Sequence, residues 1–76
     1  MNLTQLKAGE KAKFVEVAGG IGMIEKLEAM GITPGMLITK ISTQLMHGPV
    51  IIKAGNTELA IGFGMAKKII VEKVGK

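Results

Sequence analysis

A small, mainly β domain, a curved barrel of about five short strands with one short α-helix inserted, is predicted by three observations. The chain has 76 residues and 47% of them are hydrophobic, enough for one domain to stabilise itself by packing. Its 11 Gly and two Pro divide it into short stretches. Between those breaks the apolar residues recur at the period of a strand, except in one interval where they recur at the period of a helix.

The elements run in order. Residues 4–9 read as a turn-like lead-in that ends on Gly9. Residues 12–18 read as a half-buried strand, with Lys13, Val15 and Val17 on one side and Phe14 and Glu16 on the other. Gly19-Gly20-Ile21-Gly22 breaks it. From 23 to 30 the apolar Met23, Ile24, Leu27 and Met30 enclose Glu25, Lys26 and Glu28, which makes one apolar stripe on a short helix. Gly31 stands where a left-handed C-cap belongs, and a helix this short needs a sheet to pack on. Thr33-Pro34-Gly35 fits a type II turn, since proline presets φ and glycine accepts a positive value. Residues 36–43 form a second strand, 44–48 a loop, and 49–54 a third strand whose Val50-Ile51-Ile52 is apolar on both faces. Gly55-Asn56 signals a tight hairpin. Residues 57–61 and 68–74 are the fourth and fifth strands, with a turn over 62–68. Closure hides the edges of such aliphatic strands. The expected architecture is an SH3-like barrel of about five strands, with residues 1–76 as one domain.

Composition narrows the function. There is no Cys, so disulfides and thiolate metal sites are excluded. The apolar residues are mainly Ile, Val, Leu, Met and Ala; six Met soften the core, and Phe14 and Phe63 are the aromatic residues. No segment approaches the roughly 20 apolar residues of a membrane span, and residues 1–10 lack the apolar core of a secretory signal. A cytoplasmic location is expected. The net charge of +4 comes from ten scattered Lys and no Arg. Base readout favours Arg and single-strand binding favours aromatic platforms, so these lysines read as a solvated surface, with no nucleic-acid partner expected.

Candidate chemistry is sparse. Gly19-Gly20-Ile21-Gly22 sits where phosphates are cradled, but no Gly stands at the third position after Gly22 and no Lys-Ser/Thr pair ends it. A strand-to-helix joint requiring positive φ explains it better. His47 is the sole His and there is no Asp, so a preformed transition-metal site is not expected even if Glu58 approached it. Ser42 or a Thr could pair with His47, yet no Asp could orient the imidazole. No catalytic residue, metal site or cofactor is assigned. What remains is the 44–48 loop, which places Leu45, Met46 and His47 in a connection that faces solvent. Its apolar residues either form a contact site or fold back over the barrel mouth.

Taken together, Leu6-Lys7-Ala8-Gly9, Lys26-Leu27-Glu28-Ala29-Met30-Gly31-Ile32-Thr33-Pro34-Gly35, Gly48-Pro49-Val50, Leu59-Ala60-Ile61, Ala66 and Ile69-Ile70-Val71 resemble the FeoA family of ferrous iron transport proteins. The resemblance spans residues 3–74, and the segment from Leu27 to Gly35 is its most specific part. It implies an SH3-like barrel with a helix inserted after the first strand. It also implies a cytosolic accessory of a membrane ferrous iron transporter whose soluble part is a GTPase. The same domain type resembles the C-terminal module of metal-dependent transcription regulators, and the absence of a preceding helical DNA-binding domain favours the free-standing form. Lys26 and Gly62 stand where the family often has Arg, and the two cations differ in how they grip a partner. The expected function is therefore a non-enzymatic module that binds the transporter through Leu45, Met46 and His47. The alternatives are a nucleic-acid-binding SH3-like module, suggested by the net charge and Lys67-Lys68, and a metal-responsive domain centred on His47.

Overall fold

Gly31 adopts a φ of 91° immediately after the first helix, α1 (Ile21–Ala29), and this backbone state turns the chain back onto its own core. The N–H of Ile32 donates to the Leu27 carbonyl at 2.9 Å, and that of Gly31 donates to Glu28 at 3.0 Å. These are the paired bonds of a Schellman motif, with the buried Leu27 and Ile32 at its hydrophobic contact. Further on, Gly35 is also left-handed, and Met36 N–H donates to Thr33 at 3.1 Å, closing the expected type II turn. At the other end of α1, Gly20 is the N-cap with a φ of 99°, which confirms the strand-to-helix joint. The computed structural model describes residues 1–42 and 46–74.

Besides this helix the chain has five strands: β1 (Lys11–Val17), β2 (Leu37–Lys40), β3 (Val50–Ala54), β4 (Thr57–Ile61) and β5 (Ile69–Lys73). They form one antiparallel sheet in the order β4-β3-β2-β1-β5. Gly55, with a φ of 65°, occupies the first position of the two-residue loop between β3 and β4, as a type II′ hairpin requires. The turn expected over 62–68 contains a short second helix, α2 (Phe63–Ala66), and the lead-in contains a 3-10 turn, Leu3–Gln5. Asn2 caps that turn: its side chain accepts from Thr4 N–H at 2.9 Å, while Gln5 Oε1 accepts from Asn2 N–H at 2.8 Å. Met1 and Asn2 lie along β5, where Val71 N–H donates to the Met1 carbonyl at 2.8 Å.

Two sequence expectations need correction. In β1 the alternation does not run through: Ala12, Phe14 and Val17 are buried and Val15 is 42% exposed. A register shift between Phe14 and Glu16 against β5 inserts an extra residue and swaps the faces of the residues beyond it. The second strand is also shorter than 36–43. It spans Leu37–Lys40, Ile41 N–H still donates to Ile51 at 2.8 Å, and Thr43 lies outside the described residues. The core is aliphatic as expected, with Leu3, Leu27, Ile38, Ile52 and Ile69 fully enclosed around Phe14. Leu27→Ala is expected to destabilise the fold by about 2–5 kcal/mol. That is a large part of the roughly 5 kcal/mol expected of a domain this size, and urea unfolding at unchanged slope will measure it.

Candidate interaction surface

The connection between β2 and β3 starts from a lysine that sequence reasoning assigned to the solvated surface. Lys40 instead points into the fold and is 1% exposed. Its Nζ donates to the Leu6 carbonyl at 2.7 Å and to the Thr4 carbonyl at 3.3 Å. Gly9 N–H donates to the Lys40 carbonyl at 2.7 Å, and Lys40 N–H donates to Glu10 at 3.0 Å. A buried ammonium needs such acceptors, and the end of the 3-10 turn supplies carbonyls already oriented for it. Burial holds the Lys40 ammonium below the ordinary lysine value, partly opposed by the charge of Glu10. Glu10 in turn accepts from Lys73 Nζ at 2.8 Å and from Lys7 N–H at 2.7 Å, which keeps its carboxyl below the usual carboxylate value.

Beyond this root the chain leaves the sheet. Leu45, the first of the three expected contact residues, lies outside the described residues. Met46 and His47 both occupy the left-handed region, with φ of 51° and 64°. Turns with two successive positive φ values are normally built from Asn and Gly. A bulkier residue there costs about 1–2 kcal/mol. The His47 imidazole stacks on the Phe63 ring with centroids 4.5 Å apart and planes 26° apart. Phe63 opens α2, and Lys67 Nζ lies 5.6 Å from the same ring centre. Met46 is 97% exposed. It does not fold back over the barrel; the stacked neighbour holds the turn while the thioether projects into solvent.

The structure thus brings Met46 and His47 together and adds Phe63 and Lys67, which no local signal ties to the loop. The arrangement offers an adaptable apolar tip beside a cation and an aromatic ring, a combination suited to holding another protein. Among the described residues, no three or more His, Cys, Asp or Glu side chains gather as a metal site would require.

The model of the FeoA domain family matches residues 1–73. The chain belongs to the FeoA family. A protein of Methanocaldococcus jannaschii, provisionally designated Fe(2+) transport protein A, is 39% identical over 66 residues, covering 87% of this chain and 78% of that one. The crystal structure of an iron uptake regulatory protein, FeoA, superposes with a TM-score of 0.88 at 35% identity, covering 97% of each chain. A zinc complex of Stenotrophomonas maltophilia FeoA, described as a prokaryotic SH3 domain protein, superposes with a TM-score of 0.79 at 20% identity, over 95% of this chain and 89% of that one. That last likeness concerns the fold, and it bears out the SH3-like architecture expected from the strand pattern.

The Lys40 clasp can be tested directly. Lys40→Met keeps most of the bulk and removes the donor from the Leu6 and Thr4 carbonyls. A loss of about 1–3 kcal/mol in urea unfolding is expected, with faster exchange of the amides of residues 3–6. Folding lowers the proton affinity of Lys40, so wild-type stability rises as pH climbs from its depressed value to the ordinary 10.5. The variant lacks that rise. Wild-type stability and exchange in Lys40→Met would show that the clasp carries no weight.

Proposed function

We propose that this chain is a non-enzymatic accessory of ferrous iron transport, a single cytoplasmic domain that binds the GTPase-containing cytosolic part of a membrane iron transporter. The observation that carries this reading is the FeoA match along residues 1–73, together with Met46, the most exposed large apolar side chain among the described residues, at the tip of a braced turn. Among the described residues, no helix is long and apolar enough to cross a membrane. The sequence has a single His and neither Cys nor Asp, and among the described residues no three His, Cys, Asp or Glu side chains gather. A module so equipped acts through its surface. To promote uptake it must bind one conformational or nucleotide state of its partner more tightly than another, since equal affinity for both shifts nothing.

The contact in this proposal is made by Leu45, Met46 and His47, extended by Phe63 and Lys67. A methionine side chain fully covered by a partner contributes about 1.5–3 kcal/mol. Met46→Asp is therefore expected to weaken binding to the transporter's cytosolic part about tenfold or more while leaving thermal unfolding unchanged. Undiminished binding by this variant would move the contact off the loop. A strain deleted for the chain is expected to take up ferrous iron more slowly and to recover with the wild-type gene. Normal uptake in the deletion strain would refute the transport role.

A further inference from the structure

The outer face of the sheet carries a second surface, at the hairpin end of β3 and away from the end where residues 41–49 enter. Register places Lys11 of β1 opposite Thr39 of β2, and Thr39 opposite Lys53 of β3, in one row across three strands. In the next row Lys13 stands opposite Leu37. Their neighbours Ala12, Ile38, Ile52 and Ala54 point into the core, so alternation sends this set outward. Leu37 is 47% exposed, an unusual state for a leucine in the middle of a sheet. Gly55 has no side chain to close the end of the row. The result is an open groove of about 390 Å³ lined by Lys11, Met36, Leu37, Thr39, Lys53 and Gly55.

Charge is distributed unevenly across this face. The lysines flank the apolar floor, while the acids stand at the margins: Glu58 opposite Lys53 on β4, and Glu72 opposite Lys13 on β5. The ion pair found among the described residues lies elsewhere, between Lys73 and Glu10. Lys11, Lys13 and Lys53 therefore present ammonium groups that no carboxylate engages within the described fold.

We propose that this groove binds a short acidic segment of a protein partner, in which two carboxylates bracket an apolar residue. The carboxylates meet Lys11 and Lys53, and the apolar residue covers Leu37. Lys11 and Lys53 stand two strand spacings apart, about 9.6 Å. Carboxylates three residues apart on a polyproline II segment stand about 9.3 Å apart on one side of it. The marginal acids select among anions. A long polyanion that follows the row past Lys53 runs into Glu58, and one that follows the next row past Lys13 runs into Glu72, whereas a short acidic segment ends at Lys53. The chain also has no Arg, Trp or Tyr with which this face could read or stack bases.

Only the source of the segment, a transporter's cytosolic part, rests on the function proposed above. The test uses the full chain, labelled with nitrogen-15, and the peptide acetyl-Gly-Glu-Pro-Leu-Glu-Gly-amide. The expected result is saturable amide shifts at Lys11, Leu37, Thr39, Lys53 and Gly55. The peptide with Gln in place of both Glu is expected to bind about tenfold more weakly or not at all. A Lys11→Gln/Lys53→Gln variant, which sets no new charge beside Glu58, is expected to keep the native spectrum and lose the same factor. Equal binding of the Gln peptide, shifts mapped elsewhere, or full affinity in the double variant would each overturn the assignment. So would tighter binding of an oligothymidylate or of phosphatidylglycerol vesicles at the same amides. Capture of the transporter's cytosolic part is measured separately. Capture by a chain that ignores the peptide refutes the groove and spares the transport reading; peptide binding without capture does the reverse.

Discussion

The ammonium of Lys40 is the interaction on which the rest of this small fold depends. It is enclosed, yet its bonds to the Leu6 and Thr4 carbonyls give it acceptors that water would otherwise supply. Backbone bonds from Gly9 and to Glu10 lock the same residue to the start of β1. In a strand of only four residues, such an anchor sets which side chains point inward. Slipping β2 by one residue would expose Ile38 and bury Leu37 and Thr39, at the same time pulling the lysine from its carbonyls. A polar group inside an aliphatic core thereby specifies register more sharply than another isoleucine would.

Both surfaces discussed above inherit their positions from that register. With Ile38 and Lys40 inward, Leu37 and Thr39 must face out, between the lysines of β1 and β3. The chain then leaves the sheet just past Lys40 and reaches the Met46–His47 turn, braced by Phe63 from the far side of the sequence. The interior therefore supplies geometry, and the two exposed sites supply different chemistry, one thioether and aromatic, the other cationic around an apolar floor. Neither surface depends on a reactive group.

Much of the fold was legible in the sequence because its punctuation is local. Gly31, the Pro34-Gly35 pair and the Gly55-Asn56 loop each need a particular φ, and each stands where a break in apolar periodicity places it. The strand order comes from hairpins and from an SH3-like pattern that the FeoA likeness reinforces. What could not be read depends on contacts far apart in the chain. A lysine between Thr39 and Ile41 looks solvent-facing until the carbonyls of residues 4 and 6 are brought beside it. The support of His47 by Phe63 has the same origin, and so does the placement of the lysine row beside exposed Leu37. Strand alternation failed in β1 because a one-residue irregularity carries no compositional mark.

That irregularity bears on how this chain accommodates a change in length. Between Phe14 and Glu16, β1 holds one more residue than its pleat against β5 requires. Removing Val15, whose side chain faces solvent, would leave Ala12, Phe14 and Val17 still directed at the core, now in simple alternation. The strand would lose local twist and keep its buried set. Insertions and deletions are usually confined to loops, because within a strand they turn its sides inside out. Here the slack lies within the sheet itself, and it lets curvature change by a single codon while the packing inside stays the same.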